Sequence, residues 1–141
     1  MKHALVRRRA RGFTLVEALV ALLALSIGLL GIAGLQITGM RANMAAGWRA
    51  QATYLGYDIL DRMRANRRDS ASYIVGTGAA PGGTSVAALD LAAWKANLAA
   101  TLPAGDGTVA VSGNIVTVTV QWNEARDTTQ PAVVFTMRSR I

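Results

Sequence analysis

The sequence lacks the residue types on which most catalytic and metal centres depend. None of its 141 residues is cysteine, so disulfide bonds, thiolate chemistry and cysteine-bound metals are excluded. Its only histidine, His3, lies in a basic amino-terminal stretch and is best interpreted as an ordinary residue of that stretch. Nucleophilic systems that use histidine as the base therefore have no partner. These absences predict a protein that is not an enzyme and that holds no metal or cofactor.

Acidic residues are missing from the amino terminus. Five positive charges stand there with no acidic residue among them: Lys2, Arg7, Arg8, Arg9 and Arg11. This stretch accounts for most of the formal net charge of +7, since the remaining ten basic and eight acidic residues leave only +2. The high isoelectric point is thus a local property and gives no argument for nucleic acid binding.

A long apolar run follows the basic residues. From Phe13 to Leu35 it has 23 residues and one charge, Glu17. As a helix it would be roughly 34 Å long, enough to cross a bilayer core of about 30 Å. The next basic residue is Arg41, so the positive-inside rule keeps the amino terminus in the cytoplasm and sends the rest across. A secretory signal peptide would have a shorter apolar region of about 7–15 residues, so we expect the segment to stay in the membrane.

Glu17 is an unusual residue for a membrane-spanning helix. A carboxylate there is costly unless it is paired, protonated or near the interface, and such residues are usually functional. One interpretation is an interfacial glutamate that reaches back to the lipid headgroups. The residues around it favour a functional interpretation instead.

The stretch RGFTLVE, residues 11–17, resembles the type III signal sequence of type IV prepilins and type II secretion pseudopilins. The resemblance implies that a prepilin peptidase removes residues 1–12 by cutting after Gly12, and that it N-methylates Phe13. It also implies a role for Glu17, which would be the fifth residue of the mature chain. In that role Glu17 pairs with the amine at Phe13 of a neighbouring subunit and sets the register of assembly.

Longer stretches narrow the resemblance. Four segments in order along the chain are similar to the PilV family of minor pilins, the type IV pilus modification proteins: SIGLLGIAGLQ (26–36), RAQATYLGYDILDRMRANR (49–67), LAAWKANLAATLPAGDG (91–107) and VTVTVQW (116–122). This resemblance implies a minor pilin that takes part in assembly, priming or modification of a type IV pilus. The implied partners are the prepilin peptidase, other minor pilins, the major pilin and the inner-membrane assembly platform.

The same resemblance implies a location. The protein would cross the bacterial inner membrane once, with a cytoplasmic amino terminus and a periplasmic head, and would enter the pilus on assembly. Two alternatives stay open. One is a type II secretion pseudopilin of the I class, and the other is a tip-located adhesin or DNA-uptake pilin.

One long helix is predicted from Phe13 to Asn66, because no proline interrupts this stretch. Residues 13–35 form its transmembrane half and residues 36–66 an amphipathic periplasmic half. In the second half apolar residues recur at helical spacing: Met44, Trp48, Ala52, Leu55, Ile59 and Met63. Two oppositely charged pairs are spaced for contact on this helix, Asp58 with Arg62 and Asp61 with Arg64.

Glycine is frequent in and just after the apolar segment of the helix, at positions 28, 31, 34 and 39. Each lowers helix propensity by about 1 kcal/mol relative to alanine. One interpretation is tolerance, since glycine eases the close packing of membrane helices. The other is a segment that loosens when the subunit moves from the bilayer into a filament.

Residues 67–141 are predicted to form a small globular head, which makes the protein α+β and pilin-like, with the long helix packed on a small antiparallel sheet. Residues 70–86 are rich in Ser, Gly and Ala and predict a loop, followed by a short helix from Ala87 to Thr101. Alternating residues, a turn at residues 112–114 and a break at residues 130–131 then predict three or four strands. One apolar strand face should pack on the long helix: Val116, Val118, Val120 and Trp122.

Two groups of residues beyond the membrane segment suggest a ligand, although neither ligand is predicted. Oxygen-bearing residues at Asp106–Gly107 and at 123–127 would suit a structural calcium ion, although no metal site is predicted. A basic cluster is formed by Arg62, Arg64, Arg67 and Arg68. It is explained either by a solvated helix end or by a DNA contact with Tyr73 as the nearby aromatic residue. The helix end is the simpler explanation, so nucleic acid binding is not expected.

Overall fold

A computed structural model describes residues 12–124 and 131–141. Within these residues the elements are α1 (Leu15–Ala65), a 3-10 helix (Arg67–Tyr73), α2 (Val86–Thr101), β1 (Asp106–Ser112), β2 (Ile115–Trp122) and β3 (Val133–Arg140). The chain divides into two compact units, one ending at Arg41 and the other running from Ala42 to Ile141, so their boundary falls inside α1. The predicted leader lies outside the described residues except for Gly12.

Helix α1 confirms the long helix predicted from the absence of proline. It has 51 residues, and every residue from Leu19 to Met44 is exposed. Its buried residues all lie between Ala52 and Met63. Met44 shares the helical spacing of these apolar residues, but it is 49% exposed. The head core reaches α1 only from Trp48 onward, so Met44 has nothing of the head to pack against.

The three strands form one antiparallel sheet in the order β1-β2-β3. Ser112 pairs with Ile115, which leaves Gly113-Asn114 as a two-residue turn. Gly113 has a φ of 57°, the left-handed conformation that glycine adopts without steric cost. One face of β2 is buried as predicted, with relative exposures of 1% or less: Val116, Val118, Val120 and Trp122.

That buried face joins residues of α1 and α2 in a single core. Leu91, Trp94 and Leu98 supply the predicted apolar face of α2 and are all buried. On α1, Gly56 allows β3 to approach closely, because a Cβ at this position would lie 3.0 Å from Met137 Sδ. The long helix therefore packs on a small sheet, and the α+β prediction is confirmed.

Residues 70–86 are more structured than predicted. The 3-10 helix extends through Tyr73, which is fully buried, and Val75 forms an antiparallel bridge with Val109. Helix α2 begins at Val86, and the Ser85 hydroxyl caps it by accepting a hydrogen bond from the Ala88 N–H at 3.2 Å. Tyr73 and Val75 flank the exposed Ile74 in an apolar run of three residues, which is too short to show which side chains are buried. Their burial was therefore not visible in the sequence pattern.

Candidate functional site

The amino-terminal end of α1 is fixed by a threonine cap. The Thr14 hydroxyl accepts a hydrogen bond from the Glu17 N–H at 3.3 Å, and the Thr14 carbonyl accepts one from the Ala18 N–H at 3.2 Å. The side chain thus satisfies one of the N–H groups that have no partner inside the helix, and the carbonyl accepts the first intrahelical bond, so Thr14 defines the first turn. Gly12 and Phe13 precede the cap, are not helical and are both exposed. The predicted cleavage site is thus an accessible, non-helical peptide bond one residue before the cap.

Glu17 occupies the third helical position, so Thr14 and Glu17 together form the T-x-x-E pattern of a capping box. This cap was not among the features predicted from the sequence, although a threonine followed three residues later by glutamate before an apolar run is its usual signal. A negative charge in the first turn also suits the helix dipole. The Glu17 side chain is exposed, and within the described residues its carboxylate makes no ion pair or hydrogen bond. Its pairing with a neighbouring subunit stays a prediction.

The anchor half of α1 presents apolar surface on all sides. Among the described residues, α1 is the one helix long and apolar enough to cross a membrane. Two hydroxyl groups of the exposed part of α1 are bonded within the helix. The Ser26 hydroxyl donates to the Leu22 carbonyl at 2.7 Å, and the Thr38 hydroxyl donates to the Gly34 carbonyl at 3.1 Å. Such internal bonds leave no hydroxyl unpaired in an apolar medium.

The glycines of the anchor half leave open space beside the helix. Apart from the adjoining residues and the nearby backbone of the helix itself, no described atom lies within 4 Å of the position that a Cβ would take at Gly28, Gly31 or Gly34. Helix α1 continues without a break through these positions. The notches are available to other helices, while the predicted loosening on assembly stays a prediction.

Polar contacts of the head connect α1 to α2. Both predicted helix pairs are confirmed, Arg62 with Asp58 at 3.0 Å and Arg64 with Asp61 at 2.7 Å. Arg62 also bonds Asp90 of α2 at 3.1 Å. Burial works against the charge of Arg62, but its hydrogen bonds to the two aspartates outweigh burial and raise its pKa.

Tyr73 completes this network from the other side of Asp90. Its hydroxyl donates to Asp90 Oδ2 at 2.6 Å, and burial together with this bond raises the pKa of Tyr73. Because the ring is buried, Tyr73 is not free to stack on a nucleic acid base. The DNA contact considered as the alternative for the basic cluster therefore cannot use Tyr73 as its aromatic residue. Only Arg67 and Arg68 of that cluster are exposed without an ion pair among the described residues.

The Asp106 carboxylate has three hydrogen-bond donors within the head. It bonds the Lys95 ammonium at 2.6 Å and accepts hydrogen bonds from the N–H groups of Gly78 at 2.6 Å and Gly107 at 2.7 Å. Burial alone would raise the pKa of Asp106, but these donors outweigh it and lower that pKa. A calcium ion at Asp106–Gly107 would compete with the ammonium for this carboxylate. The other suggested calcium loop, residues 123–127, lies partly outside the described residues.

Comparison with protein families matches residues 7–33 to the prokaryotic N-terminal methylation motif. The match covers four of the five basic residues of the amino-terminal stretch, the Gly12–Phe13 bond, Glu17 and most of the apolar run. The protein is prepilin-like. The motif implies processing by the prepilin peptidase, and together with the apolar helix it indicates a membrane-anchored protein. No curated protein and no solved structure matches the chain.

Proposed function

We propose that this chain is a minor pilin of the PilV type that helps to assemble, prime or modify a type IV pilus. The observation that carries the proposal is the methylation motif at residues 7–33, which runs directly into a helix with exposed apolar surface. That helix continues into a folded head, so the same helix supplies both the anchor and part of the core. The role is structural and non-enzymatic.

The same proposal assigns a location and partners. The protein crosses the bacterial inner membrane once, with its amino terminus in the cytoplasm and its head in the periplasm, and joins the pilus on assembly. The prepilin peptidase cuts after Gly12 and methylates Phe13. Other minor pilins, the major pilin and the assembly platform are the further partners, and they contact the exposed surface of α1.

Deletion of the gene, followed by imaging of surface pili and complementation, tests this role. Few or no pili, restored by the wild-type gene, is the expected result. Normal pili with failed protein secretion would mean a type II secretion pseudopilin. Normal pili with poor adhesion or poor DNA uptake would mean a tip-located binding subunit.

Processing is tested on the protein itself by intact mass after extraction from the membrane. We expect the mature chain to begin at Phe13 and to carry one additional methyl group. A Gly12→Leu variant, which fills the small position before the scissile bond, should retain residues 1–12. A wild-type chain that begins after Leu35 would contradict the prepilin assignment, because the anchor would then have been removed.

A further inference from the structure

The two edges of the head sheet have different surroundings. At the β1 edge, Val75 and Val109 exchange two backbone hydrogen bonds of 3.0 Å each, and Asp106 binds the Gly78 N–H. At the β3 edge, none of the described residues adds a strand or a bridge. Half of the backbone N–H and C=O groups of an edge strand point away from the sheet. The β3 edge therefore offers a row of backbone donors and acceptors.

Strand β3 is held firmly in place, which makes this row preformed. It pairs with β2 in one unbroken register over all eight residues, Val133–Arg140. Its inner face is fastened to α1: Phe135 and Met137 lie against Gly56, and Ser139 Oγ accepts a hydrogen bond from Arg64 at 2.8 Å. A partner strand would bind an edge that is already ordered, so β3 would lose little conformational entropy on binding.

The outer face of this edge carries positive charge at one end. Arg138 and Arg140 are both exposed and form no ion pair among the described residues. Their cross-strand partners on β2 are Thr117 and Ile115, which are uncharged. Two residues apart on one strand, the arginines project from the same face at a spacing of about 7 Å.

We propose that β3 accepts an extended acidic segment of another protein as a fourth strand of the sheet. Carboxylates at alternate positions of that segment would face Arg138 and Arg140, while its backbone would pair with the free edge. A second copy of the chain fits poorly, because β3 contains no acidic residue and would offer Arg138 and Arg140 no counter-charge. Charge thus selects the partner and also discourages self-association. The proposal does not depend on the pilin assignment.

The binding experiment uses the full chain in detergent micelles and two fluorescent peptides of equal composition. One, TVTVEVEV, places both glutamates on the same face of a strand. The other, TVTVVEEV, places its glutamates on opposite faces. Fluorescence anisotropy should show at least about tenfold tighter binding of the first peptide. Methylation of alternate backbone nitrogens on its pairing side should weaken its binding by a similar factor, because main-chain bonds are lost.

Charge reversal provides a gain of function that misfolding does not imitate. The double variant Arg138→Glu, Arg140→Glu should lose the preference for TVTVEVEV and gain one for TVTVKVKV, again by about tenfold. The matched control is Arg67→Glu, Arg68→Glu, which reverses two exposed arginines outside the sheet and should bind like the wild type. Near-ultraviolet circular dichroism checks that both variants are folded.

Several results would overturn the proposal. Equal binding of the two glutamate peptides, or binding that is indifferent to N-methylation, would mean general electrostatic attraction. Absence of binding would mean that the arginines only protect an exposed edge. Formation of a disulfide-linked homodimer by a Thr136→Cys variant under mild oxidation would indicate a second copy as the occupant. The natural chain has no cysteine, so the last result would be free of background.

Discussion

Helix α1 contains two regions that share a secondary structure and differ in what surrounds them. From Leu19 to Met44 every residue is exposed, whereas the stretch from Ala52 to Met63 contributes six buried residues to the core. Both regions are rich in apolar side chains. In the head half, the sheet and α2 of the same chain cover them, while in the anchor half none of the described residues does. An uncovered apolar surface of that length requires lipid or other helices.

The first way to sharpen this comparison uses Glu17, the charge at the start of the anchor half. Glu17→Ala removes both the counter-charge and the capping-box side chain, whereas Glu17→Gln keeps a side chain suited to the cap and removes only the charge. We expect both variants to be inserted and cleaved normally. Both should fall at least about tenfold in sheared pili relative to the membrane fraction, because a neighbouring amine would lose its partner in an apolar core.

The two substitutions separate the possible roles of Glu17. Normal abundance of Glu17→Gln in pili, with loss of Glu17→Ala alone, would assign Glu17 to the helix cap. Normal abundance of both would leave an interfacial glutamate with no role in assembly. A Leu19→Ala variant, altered in the same anchor but without a change of charge, is the matched control.

In the head, the largest loss of stability is expected from substitution of Trp122 on β2. Its side chain is 1% exposed, so Trp122→Ala should lower the free energy of unfolding by about 3–5 kcal/mol. Chemical denaturation of the full chain in detergent, followed by near-ultraviolet circular dichroism, measures this change. An unchanged unfolding midpoint would remove Trp122 from the core.

The second buried tryptophan of the core provides a matched comparison. Trp94 Nε1 donates to the Leu55 carbonyl at 2.9 Å, whereas Trp122 Nε1 has no hydrogen-bond partner among the described residues. Trp94→Phe should therefore cost about 1 kcal/mol more than Trp122→Phe. Equal costs in the same denaturation experiment would mean that the Trp94 bond adds no net stability.

Two glycine-to-alanine substitutions, one in the head and one in the anchor half of α1, test directly whether each region is covered by the chain itself. At Gly107 an added Cβ would lie 2.5 Å from Trp94 Cη2 and 2.9 Å from Leu98 Cδ1, so Gly107→Ala should destabilise the head by about 1–3 kcal/mol. At Gly31 the same atom meets open space, and the change should leave head stability unaltered. Loss of pilus incorporation by Gly31→Ala would show that another helix fills this notch in the filament.

The last prediction depends on pH. The pKa of Asp106 is lowered in the folded head, so the ionised carboxylate stabilises the fold above the ordinary aspartate pKa of about 3.9. This contribution disappears as the pH falls through the lowered pKa. Asp106→Asn should therefore cost about 1–2 kcal/mol at pH 7 and progressively less below about pH 4. A cost that does not change with pH would separate Asp106 from the Lys95 ion pair.

Local patterns in the sequence predicted much of the fold. The absence of proline predicted α1, and alternation of valine with polar residues predicted β2 with its buried face. The order of basic residues, Gly12, Phe13 and Glu17 predicted the motif that the family comparison matched. Each of these signals depends on neighbours within a few residues, which is why the sequence displays them.

Burial that local patterns did not predict depends instead on neighbours that are distant in the sequence. Met44 follows the same helical spacing as the buried stripe and is nevertheless exposed, because burial requires a neighbour that spacing does not guarantee. Tyr73 and Val75 belong to a run too short to show a period and are buried, because they are covered by α2 and β1, which are distant in sequence. Spacing along one element identifies a face but not whether anything covers it.

The sequence by itself determined the processing signal, the anchor and the type of each main element, since all of these follow from residue order, length and local period. Only the tertiary structure decided how charged groups are partnered. It brought Lys95 to Asp106 and Asp90 to both Arg62 and Tyr73. It also decided that the β1 edge is bridged and that β3 forms the other edge of the sheet. Such partners are set by packing between elements distant in the chain, where no local pattern constrains them.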